Sequence, residues 1–268
     1  KASHKALNRR SVVEKRLLLA LDQRNLDVYY QPLIDTASKK VIAMEALVRW
    51  HDEEIGTVTP DELIPIAEET GLISEIGMFM LEKACLQAVE WHTQGHDLKV
   101  SINSSIREFR GKNVAKTMLE IIERTGCPTT SIHLEITEKF ALEAESETSI
   151  MAQMRTLEQA GISFILDDFG TGYSSLRYLS QLPIHTVKID QSFIRDLTQD
   201  NQSIIKTIIQ LAHAMNLSVV AEGVETEEQE QFLVENLCHE LQGYLYSRPM
   251  PLNTFQQFLD NHPQQKTI

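Results

Sequence analysis

Short apolar runs rich in β-branched residues alternate with longer stretches of helical periodicity along almost the whole chain. The first two runs are separated by a short polar segment around Thr36–Lys40, so we expect them to form an antiparallel hairpin. The short runs predict eight strands, of which the last has the weakest pattern: Val28–Ile34, Val41–Trp50, Leu98–Asn103, Ile132–Ile136, Ile162–Leu166, Ile184–Ile189, Leu217–Ala221 and His239–Gln242.

Helix start and stop signals lie between these runs. Thr59–Glu62 and Thr226–Gln229 have the composition of helix N-termini. Strands alternating with helices predict an α/β fold, namely a (β/α)8 TIM-like barrel with the first strand antiparallel. An open doubly wound sheet is the alternative, and its nucleotide-binding form is disfavoured because no GxGxxG or P-loop motif follows a strand.

The length of 268 residues suits one barrel. Residues 1–13, whose charged side chains are basic, are expected to be a linker from an upstream domain, and residues 14–268 form the barrel. The chain begins with Lys1 rather than Met, which suggests a fragment of a longer protein. No apolar run approaches the ~20 residues that cross a bilayer, and no secretory signal opens the sequence.

The charge balance argues against nucleic acid as a partner. Lys and Arg number 25 against 38 Asp and Glu, which gives a net charge of −13. Such a surface repels a phosphate backbone, so we expect no DNA or RNA partner. The cysteines Cys85, Cys127 and Cys238 show no zinc spacing and are expected to be reduced thiols in the cytoplasm. A missing N-terminal region could still anchor the full-length protein to a membrane.

Polar side chains occupy the C-terminal parts of strands two to eight, which share one mouth in a barrel. Clustered carboxylates repel one another unless cations bind them. The oxygen donors suit Mg²⁺, Mn²⁺ or Ca²⁺ better than zinc, and adjacent Asp167 and Asp168 could serve two ions, the usual clamp for phosphoryl hydrolysis. The residues in question are Glu45, Asn103, Glu135, Asp167, Asp168, Lys188, Asp190, Glu222 and Gln242.

Each of these residues also has an ordinary structural explanation. Glu45 alone could be a salt-bridge partner at the rim, Asp167–Asp168 could belong to a turn, and Lys188 could simply neutralise a carboxylate. The joint pattern on consecutive strands is much harder to explain in this way. A histidine-based metal site is disfavoured because the sequence contains no HxxxH or HxH pair.

Several motifs, in order along the chain, resemble those of the EAL-domain cyclic di-GMP phosphodiesterases. The resemblance extends from about Glu14 to Leu259, and the long motif after the fifth strand is its most specific part. The motifs are Tyr30–Pro32, Glu45–Trp50, Ile64–Glu68, Glu135–Glu138, Asp167–Leu176, Lys188–Asp190, Ala221–Glu225 and Gln242–Tyr244.

The resemblance implies hydrolysis of cyclic di-GMP to linear 5′-pGpG with two Mg²⁺ or Mn²⁺ ions. It assigns one ion to Glu45, Asn103, Glu135 and Asp167, and the second to Asp167, Asp168 and Glu222. Lys188 would contact the attacking water. Substrate contacts and supporting residues would be Gln31, Arg49, Asp190 and Gln242.

The resemblance further implies a homodimer and a loop, Phe169–Ser175, that Glu138 anchors. Ca²⁺ is expected to bind and inhibit, because its looser coordination would misplace the water. The sequence departs from the family at Ser104, where Leu is usual. One alternative is a receptor that binds cyclic di-GMP without cleaving it, although no acidic position is lost. Another is a Schiff-base aldolase using Lys188, disfavoured because nearby carboxylates raise the pKa of a lysine.

Overall fold

A closed β-barrel surrounded by helices forms the fold in a computed structural model that describes residues 2–171 and 177–262. The strands within these residues are β1 Asp27–Asp35, β2 Val41–Asp52, β3 Gly56–Val58, β4 Lys99–Asn103, β5 Ile132–Thr137, β6 Ser163–Phe169, β7 Ile184–Ile189, β8 Ser218–Ala221, β9 Glu240–Leu241 and β10 Met250–Pro251. The helices are α1 Ala2–Asp22, α2 Pro60–Thr70, α3 Ile73–Thr93, α4 Ile106–Phe109, α5 Val114–Thr125, α6 Glu138–Ser146, α7 Thr148–Gln159, α8 Arg177–Gln181, α9 Gln191–Arg195, α10 Gln199–Ala214, α11 Glu227–Glu235 and α12 Leu252–Asn261.

The barrel follows the predicted order of strands. From β2 through β4, β5, β6, β7 and β8 to β9, each strand pairs in parallel with the next. Strand β1 closes the ring by pairing antiparallel with β2 and with β9. Each of the eight predicted runs is a barrel strand among the described residues, and the antiparallel hairpin of β1 and β2 is confirmed. The short β3 and β10 extend β2 and β1 beyond the barrel.

Alternation along the strands separates an interior face from a face that packs against the helices. On β2, Met44 and Ala46 belong to the large apolar core, whereas Ala43 lies in a small separate cluster with Leu33 and Val220. Glu45 shares the face of Ala43 because the two are separated by one residue. The polar side chains of the interior therefore lie above a small apolar floor.

Residues 2–13, the described part of the predicted linker, belong to a helix. Helix α1 begins at Ala2 and buries Val13 and Leu17. The Arg9 Nε atom lies 2.6 Å from Glu62 Oε1 of α2, and Arg10 pairs with Glu69. Basic residues that suggested a linker thus have acidic partners on a neighbouring helix, which the local composition could not reveal. The boundary at residue 14 and the upstream domain stay predictions.

Candidate metal centre

Lys188 of β7 lies at the centre of the acidic side chains inside the barrel. It is fully buried, with 0% of its surface exposed. Its Nζ atom is 2.6 Å from Glu135 Oε2, 3.3 Å from Glu45 Oε2 and 3.8 Å from Asp167 Oδ1, and it also pairs with Glu222. Four carboxylates from four different strands or strand ends therefore surround this one ammonium group.

Amide side chains hold Glu45 from two sides. Asn103 Nδ2 donates to Glu45 Oε1 over 2.8 Å, and Gln242 Nε2 donates to Glu45 Oε2 over 2.8 Å. Gln242 Nε2 also donates to Gln31 Oε1 over 3.1 Å, and Gln31 Nε2 in turn donates to the Ser247 carbonyl. The predicted residues Gln31, Asn103 and Gln242 thus belong to one hydrogen-bond network around the Glu45 carboxylate.

The carboxylates form two groups that share Glu222. Glu45, Glu135 and Glu222 each place one oxygen within 4.8 Å of the others, and Asp167, Asp168 and Glu222 do the same. Neighbouring residues of a strand normally point to opposite faces. Asp168 escapes this rule because its φ of 56° is in the left-handed region, and its backbone N–H donates to Asp167 Oδ1 over 2.9 Å.

Burial and mutual repulsion shift the pKa values of the cluster. Burial raises the pKa of Glu222 to about 8, and burial together with Asp167 raises that of Asp168 to about 6. Burial and the neighbouring Glu45 hold the pKa of Glu135 well above its ordinary value.

Two groups stay charged in spite of burial. Burial alone would raise the pKa of Glu45, but Lys188 and the amide hydrogen bonds lower it below its ordinary value. Burial would likewise lower the pKa of Lys188, but the surrounding carboxylates, with Asp167 and Glu135 first, raise it well above normal. One ammonium group does not compensate for all these acids, so the cluster favours additional positive charge.

The donor set fits hard divalent cations. The ligand atoms of both groups are carboxylate oxygens, the type that Mg²⁺, Mn²⁺ and Ca²⁺ prefer. Among the described residues, the buried Glu135 Oε1 and Gln242 Oε1 atoms have no hydrogen-bond partner. Oxygen atoms in such a position are costly unless a cation or a donor reaches them.

Arg49 and Asp190 lie at the edge of the cluster rather than in it. The Arg49 Nη1 atom donates to the carbonyl of Val48, and its guanidinium lies 5.6 Å from the Tyr29 ring. Asp190 caps α9 by accepting a hydrogen bond from Ser192 N, yet it is close enough to contribute to the raised pKa of Asp168. Their predicted roles toward substrate stay predictions.

The predicted loop anchor is only partly visible. Glu138 is buried as the first residue of α6. The part of the loop Phe169–Ser175 from residue 172 onward lies outside the described residues, so the anchoring role stays a prediction.

Two cavities border residues of the predicted site. One has a volume of about 420 Å³ and is lined by Arg49, Asn103 and side chains of α2, α3, α4 and α6. Another, of about 240 Å³, is lined by Gln31, Glu45, Glu222 and Gln242. Glu225 and Tyr244 also line the second cavity, although the sequence did not single them out as site residues; their only signal was their position inside the Ala221–Glu225 and Gln242–Tyr244 motifs.

Residues 14–249 match the family model of the EAL domain. The chain belongs to the EAL-domain family. This EAL domain is 39% identical over 236 residues to MucR of Pseudomonas aeruginosa, a bifunctional diguanylate cyclase/cyclic di-GMP phosphodiesterase, covering 87% of this chain and 34% of MucR. It is 38% identical over 250 residues to the cyclic di-GMP phosphodiesterase NbdA of the same organism, covering 92% of this chain and 32% of NbdA. The chain therefore spans about a third of the length of these curated relatives.

Solved EAL structures have the same fold. The PaMucR phosphodiesterase in complex with c-di-GMP aligns with a TM-score of 0.85 at 37% identity, covering 91% of this chain and 99% of that chain. The EAL enzyme Bd1971 with cAMP and cyclic di-GMP bound aligns with a TM-score of 0.87 at 28% identity, covering 95% of this chain and 70% of that chain. These matches confirm the barrel and the family resemblance. In the part of the EAL domain that the structure describes, none of the helices has the length and apolar character needed to cross a membrane.

Proposed function

We propose that this EAL domain is a metal-dependent phosphodiesterase that hydrolyses cyclic di-GMP to linear 5′-pGpG. The observation that carries the proposal is the pair of carboxylate groups around Lys188, with Glu222 common to both. Relatives that share the family are named as cyclic di-GMP phosphodiesterases. Its biological role would be to lower the concentration of this bacterial second messenger and, through it, to influence biofilm formation.

The residues divide into those that hold metal and those that act on substrate. Two Mg²⁺ or Mn²⁺ ions would supply Lewis acidity and activate water. Their ligands would be Glu45, Asn103, Glu135, Asp167, Asp168 and Glu222. Gln242 orients the Glu45 carboxylate through its amide, so it supports the site without being a ligand.

Lys188 acts as a fixed cation and hydrogen-bond donor in this scheme. Its raised pKa keeps the ammonium charged, which favours donation to the attacking water. A charged lysine cannot attack a carbonyl carbon, so the same observation argues against the Schiff-base aldolase.

The two bases of cyclic di-GMP would occupy the two cavities, with its phosphates between them. Arg49 and Asn103 border the larger cavity, and Gln31 and Gln242 border the smaller one. Arg49 would bind a phosphate oxygen, since a guanidinium can donate two parallel hydrogen bonds. Asp190 would support the side of the cluster that carries Asp168.

The decisive experiment is incubation of chelator-treated protein with cyclic di-GMP, with and without added Mg²⁺ or Mn²⁺, followed by identification of the product. We expect pGpG only with added metal, and inhibition by Ca²⁺. An Asp167→Ala variant serves as the control and should be at least ~100-fold slower, the scale of losing one electrostatic stabiliser. Binding of cyclic di-GMP without product under all conditions would instead indicate the receptor, and full activity after chelation would rule out the metal mechanism.

We also propose a compartment, an oligomeric state and a neighbouring domain for this EAL domain. It would act in the cytoplasm as a homodimer, with an upstream signalling domain that adjusts its activity. The partial coverage of MucR and NbdA supports additional domains in a longer protein. The buried free thiols of Cys85, Cys127 and Cys238 are compatible with a reducing compartment.

A further inference from the structure

A buried carboxyl group lies behind the turn that follows Asn103. Glu108 of α4 is only 2% exposed and borders the larger cavity. Its Oε1 atom accepts a hydrogen bond of 3.0 Å from the Ser105 backbone N–H, which makes it the distal half of a capping box. Its Oε2 atom lies 3.5 Å from the Ser104 hydroxyl. A capping-box glutamate on an ordinary surface helix stays in water, whereas this one is enclosed.

Helix α3 makes room for this carboxyl group at Gly77. A Cβ atom at Gly77 would lie 2.3 Å from Glu108 Oε2, far inside van der Waals contact. Gly77 is inside α3, where glycine costs about 0.5–1 kcal/mol relative to alanine. The helix has a glycine at the point of contact in spite of this cost. This indicates that the space is needed for the Glu108 side chain.

The surroundings of the carboxyl group do not supply a cation. No basic nitrogen among the described side chains lies within 4.0 Å of it. Arg107 donates to the backbone carbonyl of Glu68 instead, and Arg110 pairs with Glu143 of α6 and with Glu147 directly after that helix. Burial therefore raises the pKa of Glu108 to about 8, and the nearby Glu68 adds to the shift. The neighbouring helices present the following groups to the cavity: Glu68 from α2, Ile76 and Met80 from α3, and Lys139, Phe140 and Glu143 from α6.

The turn that Glu108 holds is directly connected to the acidic cluster. Asn103 ends β4 and donates to Glu45 Oε1, and Ser104 N donates to the Glu135 carbonyl. Ser105 is tied from the other side, since its hydroxyl donates to Glu68 Oε1 over 2.7 Å. The two residues between Asn103 and α4 are thus fixed by groups from α2, α4 and β5, and Glu108 supplies the contact to the Ser105 backbone.

We propose that Glu108 is a positioning residue that fixes the turn Ser104–Ser105 and, through it, the Asn103 side chain in the place that a divalent metal requires. The proposal rests on the proposed function in so far as it takes Asn103 to be a ligand. Losing a partner that orients a metal ligand typically costs 10–100-fold in metal affinity or activity. Glu108 lies outside both carboxylate groups that would hold metal, so its effect on Mn²⁺ binding passes through the turn.

The test measures Mn²⁺ binding by the electron paramagnetic resonance signal of free Mn²⁺, which needs no turnover. Glu108→Ala should raise the dissociation constant by about 10–100-fold. Glu108→Gln keeps the acceptor for Ser105 N and cannot ionise, so it should bind like the wild type at pH 6.5. Above pH 8 the wild type should weaken relative to Glu108→Gln, because an ionised carboxylate in this place draws water or shifts. The acidic cluster itself titrates in the wild type and in Glu108→Gln alike, so the difference between the two proteins reports on Glu108.

Two further variants separate positioning from simple stability. Thr198→Ala removes the side-chain cap of α10, away from the cluster, and should lower stability without changing the Mn²⁺ constant. Gly77→Ala should weaken Mn²⁺ binding as Glu108→Ala does, and the double variant should be little worse than either single one. If Glu108→Ala fails to fold, the comparison of Gly77→Ala with Thr198→Ala still tests the proposal.

The proposal is overturned if Glu108→Ala or Gly77→Ala binds Mn²⁺ like Thr198→Ala, or if wild type and Glu108→Gln respond alike to pH. Failure of the proposed function would look different. A wild-type protein that binds Mn²⁺ but makes no pGpG would refute catalysis and leave the Glu108 comparison intact.

Discussion

The ammonium group of Lys188 stabilises the buried carboxylates when no metal is bound. Replacing it by methionine would leave buried carboxylates without a cation, and breaking a buried ion pair in this way costs ~3–5 kcal/mol. We therefore expect Lys188→Met to melt at a clearly lower temperature than the wild type in chelator, and Mn²⁺ to restore more stability to the variant than to the wild type. Scanning calorimetry with and without Mn²⁺ measures both effects.

The matched control for this prediction is Lys116→Met, which removes the same charge from an exposed ion pair with Glu120. Exposed pairs contribute ~0–1 kcal/mol, so this variant should melt near the wild type. Equal melting temperatures of the two variants in chelator would contradict the role of Lys188 as the central cation.

Arg49 provides a prediction about substrate. A guanidinium that donates two hydrogen bonds to a phosphate is poorly replaced by an ammonium. Arg49→Lys should weaken cyclic di-GMP binding by about tenfold, or ~1.4 kcal/mol, while Mn²⁺ binding persists. Titration calorimetry in Ca²⁺, which we expect to prevent turnover, measures the affinity. Arg110→Lys is the control, because Arg110 borders the same larger cavity as Arg49 but pairs with Glu143 and Glu147. Equal affinities of the wild type and both variants would mean that Arg49 does not reach the ligand.

At the scale of elements, the short helix α4 makes stability depend on pH. Glu108 has a pKa raised from its ordinary 4.5 to about 8, so between these values the unfolded chain has released a proton that the folded protein retains. The free energy of unfolding must then fall as pH rises through this window. Glu108→Gln removes the effect, so its stability relative to the wild type should increase from pH 5 to pH 8.5 in urea denaturation. The exposed Glu123→Gln is the control, and a difference that does not change with pH would refute the prediction.

Helix α12 joins the C-terminus of the barrel to β1 and α3 through an aromatic cluster. Phe255 is fully buried, with its ring centroid 5.7 Å from Tyr30 and 5.4 Å from Trp91. Phe255→Ala should lower the free energy of unfolding by ~3–5 kcal/mol, as expected for a large buried ring. Phe258→Ala, on the same helix but only partly buried, should cost distinctly less. A cost for Phe255→Ala in urea denaturation as small as that for Phe258→Ala would contradict the role of Phe255 in this cluster.

At the scale of the whole molecule, the predicted homodimer is expected to influence catalysis. Glu138 and the segment after Asp168 would transmit contact between subunits to the cluster, since a misplacement of ~1 Å at a catalytic group can cost ~100-fold in rate. Activity per chain should therefore fall when the protein is diluted through its dissociation range, as followed by sedimentation. A monomer as active as the dimer would refute this coupling and leave the metal site unaffected.

Local patterns were sufficient for much of the architecture. The period of two along β2 and the turn signals around Thr36–Lys40 do not depend on distant residues, so strands and hairpin could be predicted from the sequence. The conformation of residues 2–13 could not, because Arg9 and Arg10 are stabilised by acids more than fifty residues away. A basic segment looks the same whether or not such partners exist.

The amino-acid sequence by itself determined which oxygen donors end the strands, and thus that hard cations suit the barrel mouth. Tertiary structure alone decided that Lys188 lies among the carboxylates, that Glu222 belongs to both groups, and that the Glu108 side chain packs against Gly77. The physical reason is that strand alternation is a local property, whereas distances between strands and the loss of solvent around a charge arise only when the barrel closes. Charges that look alike in the sequence thereby acquire different pKa values and different roles.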